Sequence, residues 1–219
     1  MNIALFGGTF DPIHNGHLRA ARAATRKFRL DRVLFVPSGN PPHKHRGQLT
    51  PFSHRFAMVS LACAAEPRFV PSLLEAPDGR PQFSVDTLRR VKRALGEDDH
   101  LFFLTGLDAF LDIPQWKQPN RLLDTADFIV VSRPGFEWHE IIHVIPRHML
   151  KGQSRHGKGT TLPLRHTRIH LLTGVNAPVS SSALRRSIGE GRAVTGLIPR
   201  LVEEYIMKEE IYKTNEEPR

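Results

Sequence analysis

The sequence predicts an α/β fold: a doubly wound, mainly parallel sheet with helices on both faces and a small carboxy-terminal helical region. Three observations carry this expectation. Short apolar runs alternate with longer amphipathic stretches along the whole chain, the pattern of βα units. The runs are continuous rather than alternating, as in strands buried on both faces. The chain has 219 residues, 40% hydrophobic and 24% charged, enough to cover both faces of a sheet without disulfide or metal staples.

The first strand is expected at Ile3 to Phe6, ended by Gly7-Gly8, and is followed by a helix over 16–29. Val33 to Val36, ended by Pro37, is the second strand, with a helix at about 51–65. Phe69 to Leu74 is the third, with a helix at about 84–95. Leu101 to Leu104 and Phe128 to Val131 are the fourth and fifth, the latter followed by a helix at 138–145. Ile169 to Leu172 closes the sheet, and helices at 181–189 and 199–212 follow it. The stretch 146–168 has little periodicity and many basic residues, among them Arg147, Lys151, Arg155, Lys158, Arg165 and Arg168. It reads as a basic insertion or mobile loop. The expectation is one domain over 1–219, with its core in about 1–135 and 168–212.

Charge and cysteine usage narrow the partners. The net charge is +9, and it is uneven: the first 200 residues hold 28 basic against 16 acidic residues, or +12, while the last 19 are acidic. A basic body implies acidic partners, whether nucleic acid, a membrane surface or phosphorylated small molecules. One cysteine, Cys63, excludes an internal disulfide framework and fits a reducing cytoplasm. No run reaches the ~18 apolar residues of a membrane helix, and the amino terminus lacks the pattern of a secretion signal. Cytoplasmic localisation without a membrane partner is the expectation. A homo-oligomer is left open.

In a doubly wound sheet, ligands bind beyond the carboxyl ends of the strands, where strand order reverses. The loop after the first strand reads Gly7-Gly8-Thr9-Phe10-Asp11-Pro12-Ile13-His14-Asn15-Gly16-His17. Paired glycines let the backbone approach a ligand closely. A helix beginning near Gly16 turns its free N–H groups and positive dipole end toward the same loop. His14 and His17, three residues apart at the helix start, reach one point. Glycine backbone, helix start and two imidazoles make a phosphate site, with His17 expected to line an exposed cleft.

At these residues a resemblance appears. His14-Asn15-Gly16-His17 resembles the HxGH signature of the nucleotidyltransferase superfamily, whose fold is Rossmann-like, and the longer string resembles the nicotinate-nucleotide adenylyltransferases. Further segments match in order: Pro41-Pro42-His43-Lys44 after the second strand, Gly106-Leu107-Asp108 after the fourth, Trp116 eight residues on, Arg133-Pro134-Gly135 after the fifth, and Val179-Ser180-Ser181-Ser182-Ala183-Leu184-Arg185. The resemblance implies transfer of the adenylyl group of ATP to nicotinate mononucleotide, with release of pyrophosphate. It implies that Gly7, Gly8, Thr9, Phe10, Gly106, Asp108, Arg133, Ser180 and Ser182 serve ATP and its phosphates. By the same resemblance His14, His17, Lys44 and Arg185 are catalytic, and Ser84, Val85, Trp116 and Lys117 hold the mononucleotide. Trp116 would stack on the pyridine ring, and the amides near Val85 and Lys117 would meet its carboxylate. Magnesium is implied as the companion of ATP, mostly through water, with no dedicated protein ligands. The sequence departs from the family at Gln82-Phe83-Ser84, where a Ser-Tyr-Thr is usual, and at Ser182, usually Thr. Phe83 keeps the ring but loses the hydroxyl, while Ser84 and Ser182 each keep one. Ser84 is expected to cap the third helix, whose free amides favour an anion.

Rival readings are weaker. His139-Glu140-Ile141-Ile142-His143 matches the HExxH zinc-hydrolase motif, but Pro146 cuts the helix and no third ligand follows at suitable spacing. Residues 152–159 nearly spell a phosphate-binding P-loop, yet Gly159 stands where Ser or Thr would hold magnesium. A nucleic-acid-binding protein would explain the charge, but no recognisable motif supports it. Among sister enzymes, one using nicotinamide mononucleotide or another acceptor phosphate is the nearest alternative.

Overall fold

In a computed structural model, described at residues 1–41, 49–132, 138–151, 159–175 and 179–213 and without the His139 side chain, the expected α/β architecture is present. The elements run β1 (Asn2–Gly8), α1 (Asn15–Phe28), β2 (Arg32–Pro37), α2 (Phe52–Cys63), β3 (Phe69–Pro71), α3 (Ser84–Ala94) and β4 (His100–Gly106). They continue with α4 (Leu107–Leu111), α5 (Pro119–Leu123), β5 (Asp127–Val131), α6 (Trp138–Val144), β6 (Thr161–Pro163), β7 (Arg168–Leu172), α7 (Ser181–Gly189) and α8 (Arg200–Lys208). The strands form one sheet in the order β3-β2-β1-β4-β5-β7-β6. Every pairing is parallel except that of β6 with β7.

Successive strand residues point to opposite faces, and two cores result. Ala4, Phe6, Phe35, Phe102 and Leu104 pack under α1, α2, α7 and α8, while Leu5, Val36, Phe103, Phe128 and Val130 pack under α3 to α6. Burial on both sides explains the unbroken apolar runs. Strand order reverses between β1 and β4, with Phe6 beside Phe35 on one side and Leu104 on the other. The crevice beyond these strand ends is where the loop after β1 lies.

Five parts of the chain differ from expectation. β3 is three residues long rather than six: after the Ser72 N–H bonds the Phe35 carbonyl the chain leaves the ladder, turning so that the Ala76 N–H bonds the Leu73 carbonyl. The helices Leu107–Leu111 and Pro119–Leu123 are too short for periodicity to reveal. The last helix stops at Lys208, not 212, since Glu210 and Tyr212 take positive φ values of 53° and 70°. The stretch 146–168 is not simply a mobile loop. Its described residues hold a 3-10 turn at Arg147–Met149 and strand β6, with Met149, Leu162 and Leu164 buried beside Ile141 and Ile145. Single apolar residues spaced among basic ones anchor it, a pattern too sparse for a periodicity reading. Residues 152–158, including most of the P-loop-like string, lie outside the described residues.

Candidate active site

The loop after β1 leads into α1 through a reciprocal cap. The His14 backbone N–H donates to His17 Nδ1 at 3.2 Å, and the His17 N–H donates to His14 Nδ1 at 3.4 Å. This is a capping box built from two imidazoles instead of hydroxyl and carboxylate. The rings stack with centroids 3.7 Å apart. Because each Nδ1 accepts, each neutral ring carries its proton on Nε2, leaving two Nε2–H donors for a ligand. Burial lowers the His14 pKa to about 4, and burial together with the neighbouring His14 holds His17 well below the ordinary histidine value. Both are therefore neutral donors near pH 7. Their C2–H resonances in the free protein should not shift between pH 5.5 and 8; an inflection near 6.5 from either ring would contradict the buried, capped arrangement.

His17 is half-buried rather than freely exposed. Its ring packs edge-on against Phe6 and Phe10, at centroid distances of 5.9 and 5.1 Å. Phe10 serves the core too: its ring is buried against Phe6 and Phe35, so the residue offers a ligand only its backbone. A positive φ of 48° at Phe10 turns the loop.

Helix α7 closes the other side of this loop. Ser180 caps it, its Oγ accepting from the Ala183 N–H at 3.2 Å. Ser181 Oγ donates to the Pro12 carbonyl at 2.9 Å. Arg185 donates to the Asp11 carbonyl at 2.7 Å and lies 3.5 Å from Ser182 Oγ. The structure thus brings His14, His17, Ser180, Ser182 and Arg185 to one loop, though 160 residues separate them in sequence.

Beside it lies a cavity of about 360 Å³, within the range of small-molecule sites. Gly7, Gly8, Thr9, Ser84, Val85, Trp116 and Lys117 all line it, so seven expected ligand residues share one space. Trp116 is half-buried, edge-on to Phe103 at 6.3 Å. Lys117 reaches over the Phe83 ring, its Nζ 4.3 Å from the centroid, and pairs with Asp86 at 3.0 Å. Helix α3 presents its start to the cavity. Its first bonded amides are those of Asp86 and Thr87, which donate to the Phe83 carbonyl, so the Ser84 and Val85 amides precede the hydrogen-bonded turn. Ser84 is not the cap: Phe83 holds that position without a side-chain bond, and Ser84 is the first helical residue.

Gly106 and Asp108 stand at the β4–α4 junction, both exposed and outside the cavity lining. Lys44 and Arg133 lie outside the described residues. Of the HExxH string, Glu140 and His143 are exposed on α6. Among the described residues no group of three His, Cys, Asp or Glu is gathered to hold a metal. No helix among them is long and apolar enough to cross a membrane.

The sequence reading missed the cavity's far wall. Glu75 is buried there and accepts from Thr87 Oγ1 at 2.8 Å; burial pushes its carboxyl pKa up. Gln82 Nε2 donates to the Ala76 carbonyl at 2.6 Å, and its Oε1 is buried without a hydrogen-bond partner. A Cβ at Gly39 would collide with the Glu75 carbonyl oxygen, so only glycine lets the chain after β2 pass this wall. Neither Glu75 nor Gln82 sits in a spacing that signals a site. Arg55 was missed as well. It is 2% exposed and props the loop, donating to the Thr9 carbonyl at 2.9 Å and the Thr50 carbonyl at 2.8 Å.

Residues 5–187 match the cytidylyltransferase-like family. A probable nicotinate-nucleotide adenylyltransferase of Thermoanaerobacter sp. is 36% identical over 217 residues, covering 99% of this chain and 97% of the relative. One from Thermus thermophilus is 40% identical over 214 residues, covering 97% and 100%. Among solved structures, the Plasmodium falciparum nicotinic acid mononucleotide adenylyltransferase complexed with NaAD superposes with a TM-score of 0.74 at 20% identity, over 96% of this chain and 97% of that one.

Proposed function

The chain belongs to the cytidylyltransferase-like family and, within it, to the nicotinate-nucleotide adenylyltransferases, and from that premise we propose that it joins the adenylyl group of ATP to nicotinate mononucleotide. A 5′-phosphate oxygen of the mononucleotide attacks the α-phosphorus of ATP, the bond to the β-phosphate oxygen breaks, and pyrophosphate leaves with deamido-NAD as the other product. The nucleophile needs no activation, because a phosphate monoester with a second pKa of about 6 is already an anion. The chain's task is to align two anions and to place donors where charge grows.

The observation that carries this reading is the paired imidazole cap abutting a cavity with an indole wall. His14 and His17 donate Nε2–H to phosphate oxygens of ATP, and being uncharged they are not saturated by an ordinary counter-anion. Arg185 offers a planar fork to the leaving pyrophosphate, and Lys44 adds a point charge. Gly7, Gly8 and Thr9 bring backbone to the phosphates shared by both substrates. Gly106, Asp108, Arg133, Ser180 and Ser182 serve the adenosine and phosphate side. Magnesium accompanying ATP would supply neutralisation of phosphate charge, and the chain would need no dedicated ligands for it. Asp11, the carboxylate of the loop, is engaged by Tyr212 and Thr50 rather than free to ligate.

In the cavity Trp116 stacks on the pyridine ring, and the amides of Ser84, Val85 and Lys117 face its carboxylate. The working compartment is the cytoplasm. Pyrophosphate release from magnesium ATP, measured with nicotinate mononucleotide, nicotinamide mononucleotide and phosphopantetheine in turn, tests the reading. Release is expected chiefly with the first; release only with phosphopantetheine, or with none, overturns it.

A further inference from the structure

The carboxy-terminal segment folds back onto the phosphate loop through contacts that the chemistry above does not use. After α8, the left-handed backbone at Glu210 and Tyr212 reverses the chain, burying Ile211 in the core beneath α2 and α8. L-residues enter that region only when their surroundings hold them there. The reversal delivers Tyr212 Oη to Asp11 Oδ1 at 2.5 Å. Asp11 is fully buried. Its Oδ2 accepts from the Thr50 N–H at 3.3 Å, and its carbonyl accepts from Arg185 at 2.7 Å. Arg55 completes the ring, tying the Thr9 and Thr50 carbonyls together from below.

One aspartate thus joins four parts of the chain: the loop that leads into His14, Thr50 ahead of α2, helix α7 and the carboxy-terminal segment. A buried carboxylate held by several donors has one well-defined place, and losing a donor leaves it unsatisfied. Burial and the adjacent Asp11 both raise the Tyr212 hydroxyl above its ordinary value, so it stays a donor throughout the working pH range.

We propose that Tyr212 is a positioning residue for the triphosphate: by holding Asp11, it fixes the phosphate loop and the Arg185 fork in the arrangement that receives ATP. The proposal rests on the adenylyl-transfer reading above and adds the carboxy-terminal segment to the ATP half of the site. It acts through Asp11, which does not line the cavity at Trp116.

The test is Tyr212→Phe in the full chain, which keeps the ring and removes only the donor. The KM for ATP should rise about tenfold, as for loss of one buried charge-assisted hydrogen bond, with the KM for nicotinate mononucleotide within about twofold of its original value. Adding Asp11→Asn should cost less in the double variant than the two single effects multiplied. Equal rises in both KM values, or no change in either, overturn the proposal, because general loosening or an idle contact would give those results. A second measurement needs no variant. Hydrogen exchange of the amides at Thr50 and 209–213 in the wild-type protein should slow with a non-hydrolysable ATP analogue and not with nicotinate mononucleotide; exchange unaffected by the analogue also overturns it. A wild-type protein that binds the analogue but transfers nothing to any acceptor would refute the reaction assigned above, while leaving this coupling to be read from binding and exchange.

Discussion

Replacing His17 with alanine should lower kcat by about 10²-fold or more, with the KM for nicotinate mononucleotide little changed. The imidazole has one job for the ligand and one for the fold, and the variant removes both. In the proposed role its Nε2–H, a neutral donor fixed by the cap, meets the charge that accumulates as pyrophosphate departs. A donor of that kind contributes in the transition state more than in the ground state, so the loss falls on turnover. The fold also loses something. The His14 N–H loses its acceptor, and the edge-on contacts with Phe6 and Phe10 disappear. A lost cap costs about 1 kcal/mol, and lost ring contacts about as much again. A lowered melting temperature with the circular dichroism spectrum retained is therefore expected beside the kinetic defect. His17→Gln, whose side chain suits the third position of a capping box, should recover much of that stability without the imidazole. Near-normal turnover in a folded His17→Ala protein would remove this residue from the reaction.

Trp116→Ala should act on the opposite half of the reaction. Stacking of an aromatic base or ring on an indole is worth roughly 1–3 kcal/mol, so the KM for nicotinate mononucleotide should rise about ten- to hundredfold, with kcat within about threefold. The pyridine ring is remote from the reacting phosphate, and its binding is felt nearly equally in ground and transition states. The same cavity should prefer the acid to the amide. The amides at the start of α3 are donors, as is the Lys117 backbone, and an amide ligand would set its NH₂ against donors. An unpaired buried group costs roughly 1–3 kcal/mol, which corresponds to about tenfold or more in kcat/KM. Equal kcat/KM for the two mononucleotides would refute carboxylate recognition and leave adenylyl transfer intact.

How much of this could be read from the chain alone follows from the range of the interactions. The long buried strands were legible because burial on both faces leaves unbroken apolar runs at Ile3 to Phe6 and Leu101 to Leu104. The five-residue helices were not, since one turn and a half carries no period. The site was half legible. His14 and His17 announce themselves by sitting after two glycines, and Trp116 and Val85 came through resemblance to the family; the histidines cap α1 and the other two line the cavity. Residues that act through tertiary contact were silent. Tyr212 reaches Asp11 across 201 positions of sequence, and Arg55 props a loop 46 residues away. The half-burial of His17 went unread for a related reason. That the ring is wedged against Phe10 depends on the backbone turn at Phe10, which sequence spacing does not encode.

The uncharged state of His14 and His17 has a consequence for how ATP arrives. Two neutral imidazoles exert no pull beyond contact distance, so they cannot recruit a polyanion from solution. That recruitment falls to the excess of basic side chains on the surface, a net +9, whose field reaches outward by about a Debye length, roughly 8–10 Å at ordinary ionic strength. On the proposed roles, capture and conversion would fall to different residues. Added salt would then weaken the surface field and slow encounter, while hydrogen bonds from uncharged donors to docked phosphates would respond to it far less.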